Sequence, residues 1–256
     1  MSGASIDAGT TLLRAAGLTR RFGGLTAVNG VDVALDVGDV HAVIGTNGAG
    51  KSTLINMLSG EIAPSAGQIE FAGRDITGWS QPQRARAGVG RSYQRTTIFP
   101  SFSVLENCRL AAQANLARPW AVWESAAQCA RSLRAAHEAL EAAGLEDHAT
   151  RLAGLLSHGG KRQLEIAMCL ATRPRVLLLD EPLAGMGAEE TERMLALLEQ
   201  IKHEHAVLLV EHDMDAVFRV ADRITVMVNG EVIASDTPQR VRSNHDVQVA
   251  YLGESA

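Results

Sequence analysis

The chain has 256 residues, 46% hydrophobic and 21% charged, with a formal net charge of −5. This composition excludes a collagen-like, disulfide-framed or disordered chain, and the acidic balance argues against a generic nucleic-acid binder, which carries a basic excess. No apolar run approaches the ~18 residues needed to cross a bilayer, and Met1–Thr11 lacks the basic-then-apolar order of a secretory signal. Cys108, Cys129 and Cys169 are too widely spaced for a paired ligand set, so the expectation is a reducing compartment with the thiols as packing residues.

Residues 1–10 read as a flexible tail. Leu12–Ala16, Val31–Val37, Val40–Ile44 and Gln68–Phe71 then read as short strands. Val31–Val37 alternates apolar with small or acidic residues, the period of a half-buried antiparallel strand, whereas Val40–Ile44 is apolar without alternation, as in the middle of a sheet. From Val104 to Leu156, Ala, Leu, Arg and Glu dominate. Ala121–Ala143 predicts one long helix between Pro119 and Gly144, inside what reads as a helical insertion. Beyond Leu156, helix and strand alternate again. Leu164, Ala167, Met168 and Ala171 form one helical stripe, and Met194, Leu197, Leu198 and Ile201 another. Val176–Asp180 and Val207–Glu211 read as buried strands, and Asn229-Gly230 joins Ile224–Val228 to Glu231–Ala234 as a hairpin.

Gly45-Thr46-Asn47-Gly48-Ala49-Gly50-Lys51-Ser52-Thr53 fits G-x-x-x-x-G-K-[ST] directly after a predicted strand. The glycines let backbone N–H groups approach phosphate oxygens, and the helix starting near Lys51 aims its partial positive end at the same anion. Lys51 would reach the β- and γ-phosphates, Ser52 would ligate Mg²⁺, and Thr53 would serve the α-phosphate. A chance match in a turn is the alternative, and the flanking strand and helix oppose it.

Val176–Asp180 ends in two acids. In a P-loop fold the strand bearing the Mg²⁺-binding acid is expected beside the P-loop strand, so Asp180 would hold the metal and Glu181 would activate the attacking water. Ser157 is a suitable N-cap for a second helix whose Gly159 and Gly160 leave N–H groups open to an anion; a plain capped helix is the other reading.

With these motifs in this order the chain resembles an ATP-binding cassette (ABC) ATPase from Leu12 to Gly253. Leu156–Gly160 is similar to the family signature L-S-G-G-Q, with His158 and Gly160 as departures. The resemblance implies an α/β fold: a P-loop ATPase core (11–94 and 158–253), an antiparallel β-subdomain, and an inserted α-helical subdomain (95–157). It also assigns roles. Gln94 matches the glutamine that approaches Mg²⁺ and the attacking water, and His212 the switch histidine that senses the γ-phosphate. Phe22 matches the aromatic that stacks on adenine, although it would also serve as a core residue, and Val28 joins it among the nucleotide-binding residues. The loop after Glu181 has Gly187 where the family carries Asp.

The resemblance further implies that two such subunits, identical or not, close head to tail around ATP, each P-loop nucleotide being covered by Ser157, Gly159 and Gly160 of the other subunit. Two separate transmembrane permease subunits and, indirectly, a substrate-binding protein complete the partners, with this chain peripheral on the cytoplasmic face of a bacterial membrane. Thr96–Leu105, with Ile98, Phe99, Pro100 and Phe102, would dock the permease or fill the subdomain core, and Trp120 and Trp123 read as packing residues. Phe22–Asn29, Arg91–Gln94, Gln163–Ala167, Glu211–Met214 and Ala250–Glu254 resemble the import ATPases for branched-chain amino acids. Importers of amides, urea or other hydrophobic amino acids belong to the same group. A lipopolysaccharide-type exporter ATPase and a soluble switch protein are the alternatives. The second usually carries two cassettes or a long coiled-coil insertion, for which the stretch between Gln94 and Ser157 is too short.

Overall fold

The computed structural model describes residues 9–93, 97–116 and 129–252. Ten strands and nine helices lie among them, in the order β1 (Thr11–Phe22), β2 (Leu25–Asp36), β3 (Val40–Gly45), α1 (Lys51–Ser59), β4 (Ala66–Phe71), β5 (Arg74–Asp75), α2 (Gln81–Ala87), β6 (Val89–Arg91), α3 (Val104–Leu116), α4 (Ala130–Ala142), α5 (His158–Ala171), β7 (Val176–Asp180), α6 (Ala188–Ile201), β8 (Ala206–Val210), α7 (Met214–Val220), β9 (Arg223–Val228), β10 (Glu231–Asp236), α8 (Pro238–Arg242) and α9 (His245–Leu252).

The strands form two sheets. An antiparallel sheet has the order β2-β1-β4-β5, and a six-stranded sheet the order β10-β9-β3-β8-β7-β6. In the second sheet β9, β3, β8, β7 and β6 run parallel, and β10 closes the edge as an antiparallel hairpin partner of β9. Alternate residues of its central strands serve two cores. Ala42, Ile44, Leu177, Leu179, Val207 and Leu209 face α3–α7, whereas Val43, Val176, Leu178, Leu208 and Val210 face α1 and the antiparallel sheet. Burial on both faces explains why β3, β7 and β8 read as unbroken apolar runs.

Three expectations need correction. Gly9 N–H donates to Val37 O (2.8 Å) and Val37 N–H to Thr10 O (3.0 Å), so residues 9 and 10 are tied to the sheet rather than part of a free tail. The strand expected to end at Ala16 runs on to Phe22. Gly17 (φ +60°) makes a bulge there, with the register against β2 shifting between Ala15 and Leu18. The strand carrying Asp180 does not lie beside the P-loop strand, because β8 intervenes between β3 and β7. Of the helix expected over Ala121–Ala143, Ala130–Ala142 is helical, and residues 121–128 lie outside the described residues, as do Gln94, Trp120 and Trp123.

α3, α4 and α5 follow one another between β6 and β7 in the chain and pack on one another; α3 and α4 fall in the stretch expected as a helical insertion, and α5 begins just after it. None of the described helices is long and apolar enough to cross a membrane.

Candidate functional site

The C-terminal ends of β3, β7 and β8 carry most of the predicted site. β3 delivers Gly45, the loop turns through Thr46, Asn47 and Gly48, and α1 begins at Lys51 with Gly50 as its N-cap. Gly50 has φ +98°, and a Cβ there would fall 2.4 Å from Ala27 O, so this position accepts only glycine without distortion. No side chain caps the first turn of α1, which leaves its positive end to a ligand. Lys51 is buried and its Nζ donates to Gly45 O (2.6 Å) and Thr46 O (3.1 Å), holding the loop closed around the amine. Burial pushes the Lys51 ammonium down from its ordinary range, while Glu181 and Asp180 oppose that shift. Ser52 is exposed, Thr53 half-buried and Ala49 buried.

The loop is braced from two sides. Ala49 O accepts from Gly230 N–H (3.1 Å) in the β9–β10 turn, and Gly230 O accepts from Asn29 N–H (2.8 Å). Val28 is fully buried, its Cγ2 3.3 Å from where a Cβ on Gly50 would stand. Val28 therefore props the loop from beneath and offers a nucleotide no surface, which corrects its place among the ligand contacts. Phe22 ends β1 at the two-residue turn into β2 with 46% of its surface exposed and the Arg20 guanidinium 4.6 Å from its ring centroid. An exposed ring on a hairpin favours the stacking role over the core role.

Asp180 is buried at the end of β7. Burial pushes its carboxyl up, and Arg91, whose Nη2 lies 3.6 Å from Asp180 Oδ2, pulls it back. Ser92 Oγ accepts from Asp180 N–H (3.3 Å). Glu181 follows in the left-handed region (φ +49°), an unusual conformation for a non-glycine residue and one that clusters at functional sites. Its Oε1 is 3.8 Å from His212 Nδ1, so Glu181 and the exposed His212 face the same space. Glu211, fully buried, accepts from Leu183 N–H (2.7 Å) and His212 N–H (3.1 Å), tying the loop after Glu181 to the histidine.

The second helix N-terminus lies on α5. Ser157 caps it, its Oγ accepting from Gly160 N–H (3.1 Å), and Gly159 and Gly160 are buried. His158 Nε2 lies 3.0 Å from Ala184 O, which joins the signature to the loop following Glu181.

Several residues that hold these groups have no motif to announce them. Arg91 also donates to Glu61 (2.6 Å) and Ser59 Oγ (2.7 Å), linking Asp180 to α1. Arg162 Nη1 donates to Tyr93 O (2.9 Å) and Glu165 accepts from Thr97 N–H (2.8 Å), and the two are paired at 2.9 Å. They grip both ends of the segment containing Gln94. Apart from the Arg162–Glu165 pair itself, these partners of the charged residues are 30 or more residues away in sequence, although Arg91 lies beside Ser92 and Tyr93.

A glycine-rich loop and an uncapped helix start at the end of the central strand β3, with a histidine just past the end of the adjacent β8 and two acids at the end of β7 beyond it, form the arrangement expected of a P-loop nucleotide-binding ATPase. Residues 28–184 match the family model described as ABC transporter, and residues 231–256 one described as branched-chain amino acid ATP-binding cassette transporter. The high-affinity branched-chain amino acid transport ATP-binding protein BraF of Pseudomonas aeruginosa is 42% identical over 95% of this chain and 98% of its own. LivG of Escherichia coli, with the same description, is 39% identical over 95% and 98%. A solved ATP-binding cassette of an ABC transporter superposes with a TM-score of 0.85 at 29% identity, covering 95% of this chain and 100% of the other. An ADP conformation gives 0.82 at 28% over 96% and 100%. The chain belongs to the ATP-binding cassette family of ABC transporters and is an ATP-hydrolysing subunit of that kind.

Proposed function

We propose that this chain powers an importer of branched-chain or other hydrophobic amino acids, working as one of two head-to-tail ATPase subunits beneath two separate transmembrane permease subunits. The observation that carries the importer reading is the 42% identity to BraF along nearly the whole of both chains, joined by the match of residues 231–256 to the branched-chain cassette model. A peripheral position on the cytoplasmic face of the membrane follows from that role, with a substrate-binding protein acting on the far side.

The loop Gly45, Asn47, Gly48, Ala49, Gly50 and the first turn of α1 cradle the phosphates of ATP, with Phe22 against adenine. Lys51 exchanges its two carbonyl partners for the β- and γ-phosphate oxygens. Among the described residues no three His, Cys, Asp or Glu side chains gather as a ligand set. Mg²⁺ would therefore rely on one or two hard protein oxygens besides the phosphates, and the exposed Ser52 hydroxyl and the Asp180 carboxylate fit it, with Gln94 as a further oxygen donor. The metal would supply neutralisation of phosphate charge. Glu181 orients the attacking water and takes its proton as the water oxygen bonds to the γ-phosphorus. The bond from that phosphorus to the β–γ bridging oxygen breaks, and the new charge on ADP is met by Lys51 and the end of α1. His212, 3.8 Å from Glu181, reads the γ-phosphate from the neighbouring strand end. Ser157, Gly159 and Gly160 cover the nucleotide of the partner subunit.

The test separates binding from chemistry. Glu181→Gln should bind ATP as the wild type does, hydrolyse it about a thousandfold more slowly, and accumulate as an ATP-bound dimer. Adding Ser157→Arg should abolish that dimer and spare nucleotide binding. Near-wild-type turnover in the first variant removes Glu181 as the base, and a surviving dimer in the second removes the trans role of the signature. Purification from native membranes with identification of the co-purifying chains tests the transporter assembly and its direction.

A further inference from the structure

The two helix N-termini read as phosphate seats are in different states. At α1 no side chain caps the first turn. At α5 a carboxylate already occupies the position. Glu190, from the first turn of α6, accepts through Oε1 from the Ser157 hydroxyl (2.7 Å) and from Gly159 N–H (3.2 Å), while Ser157 Oγ in turn accepts from Gly160 N–H (3.1 Å). The three donors the signature would present to a phosphate are thus satisfied within one chain. Glu190 Oε2 also accepts from Gly187 N–H (3.4 Å), so the same side chain closes the first turn of α6. The seat is tight as well: a Cβ on Gly159 would stand 2.5 Å from Glu190 Cδ.

A second observation bears on what the seat is built to receive. Beside it opens a concavity of about 610 Å³ lined by Ser157, Gly160 and Gln163 together with three basic side chains, His148, Arg151 and Arg193. Gly160, standing where the family signature has Gln, leaves that side of the helix end without a side chain. Basic groups around the positive end of a 14-residue helix suit a multiply charged anion better than one carboxylate.

We propose that Glu190 holds the seat of the partner's γ-phosphate in the separate subunit, so that two chains close around ATP only after the phosphate displaces this carboxylate. Glu190 then sets the ATP concentration at which closure occurs. Displacement also releases Gly187 N–H, on the loop that leads back to Glu181, so arrival of the partner's nucleotide is felt at this subunit's own catalytic carboxylate. The proposal rests on the trans role of the signature given above.

The experiment measures ATP-dependent dimerisation by analytical ultracentrifugation in the Glu181→Gln background, alone and with Glu190→Gln, Glu190→Ala or Ser157→Arg. Glu190→Gln keeps an acceptor for Gly187 and for the α6 turn, so it remains decisive if Glu190→Ala fails to fold. Both Glu190 variants should lower the ATP concentration for half-maximal dimer, by about tenfold, the scale of losing one competing charge-assisted hydrogen bond. An unchanged or higher ATP requirement in Glu190→Gln overturns the displacement idea, provided Ser157→Arg still abolishes the dimer. If Ser157→Arg dimerises like its parent, the trans reading itself fails and the proposal falls with it.

Discussion

His41 shows how much of the behaviour of this fold depends on single buried groups. It lies on β3, fully enclosed, with Nδ1 2.9 Å from Ala34 O and Nε2 2.7 Å from Thr225 Oγ1. A carbonyl can only accept, so Nδ1 carries the proton and Nε2 accepts from the Thr225 hydroxyl, which leaves Thr225 to accept from Ser235 (2.8 Å). Burial pushes the imidazole down from 6.5 to about 4. As pH falls, the unfolded chain therefore takes up this proton first. Stability from this group is complete above the unfolded value and drains away between pH 6.5 and about 4, by roughly 3 kcal/mol. Glu165 and Glu211 have carboxyls pushed up by burial, so they contribute in the opposite direction, and the test is a difference. Urea unfolding of wild type and His41→Gln at pH 7.5 and pH 4.5 should show the wild type losing more stability than the variant. Parallel losses would assign the acid sensitivity elsewhere.

At the scale of elements, α1, on whose first turn the proposed nucleotide site is built, is fastened from behind. Arg84 of α2 is 1% exposed and donates to Met57 O (2.7 Å), Leu58 O (2.9 Å), Thr77 O (2.9 Å) and Trp79 O (3.2 Å). Two of those carbonyls belong to the last turn of α1, where the helix dipole is negative and the carbonyls run out of i+4 donors; Met57 O also accepts from the C-cap Gly60 N–H (3.2 Å). Arg84→Met keeps an unbranched apolar side chain in the same space and removes the guanidinium donor from Leu58 O, Thr77 O and Trp79 O, leaving Met57 O with its bond from Gly60 N–H. It should cost on the order of 3–5 kcal/mol in urea unfolding. A loss under about 1 kcal/mol would mean water replaces the guanidinium. Arg84 also marks where sequence reading stops. Strands such as β3 and β7 are legible because two-sided burial leaves an apolar run, and the phosphate loop because its glycines and lysine are fixed in spacing. The full course of β1 is not, because Gly17 looks like a stop and is a bulge. The place of β8 between β3 and β7 is equally hidden, since strand order is decided by packing between distant segments. Arg84, Arg91, Arg162, Glu165 and Glu190 escape for the same reason: a lone charge on a helix or strand edge carries no local pattern, and its role comes from chain that arrives from elsewhere in the fold.

On the scale of the whole molecule, the apolar surface has a definite place. Phe99 (50% exposed) and Phe102 (42%) stack at 5.6 Å on the surface, while Ile98 packs inward against the core, so the strip expected to dock a permease or to fill the core is divided between exposed and packed side chains. Asn107 pins this turn by accepting from Phe99 N–H (2.7 Å) and donating to Phe99 O (3.1 Å) and Ser103 O (2.9 Å). Leu152 and Leu155 (61% exposed) extend the patch, because Ser103 pairs with Leu152 and Ala153 N–H donates to Phe102 O (2.9 Å). Four large apolar side chains, held by an ordered backbone beside the segment containing Gln94, fit a surface that another protein covers. Replacing Phe99 and Phe102 together by Ser should change the unfolding free energy little, since neither ring is buried, and should leave ATP binding and ATP-driven dimerisation as in the parent. Association with the membrane subunits should weaken by about 2 kcal/mol or more, roughly thirtyfold, read as loss of co-purification and of transport-coupled hydrolysis in membranes. A variant that unfolds several degrees earlier yet still co-purifies would make the two rings part of the helical insertion's own packing. Loss of co-purification with ATP-driven dimerisation intact would assign attachment to this turn and nucleotide handling to the strand ends of the parallel sheet.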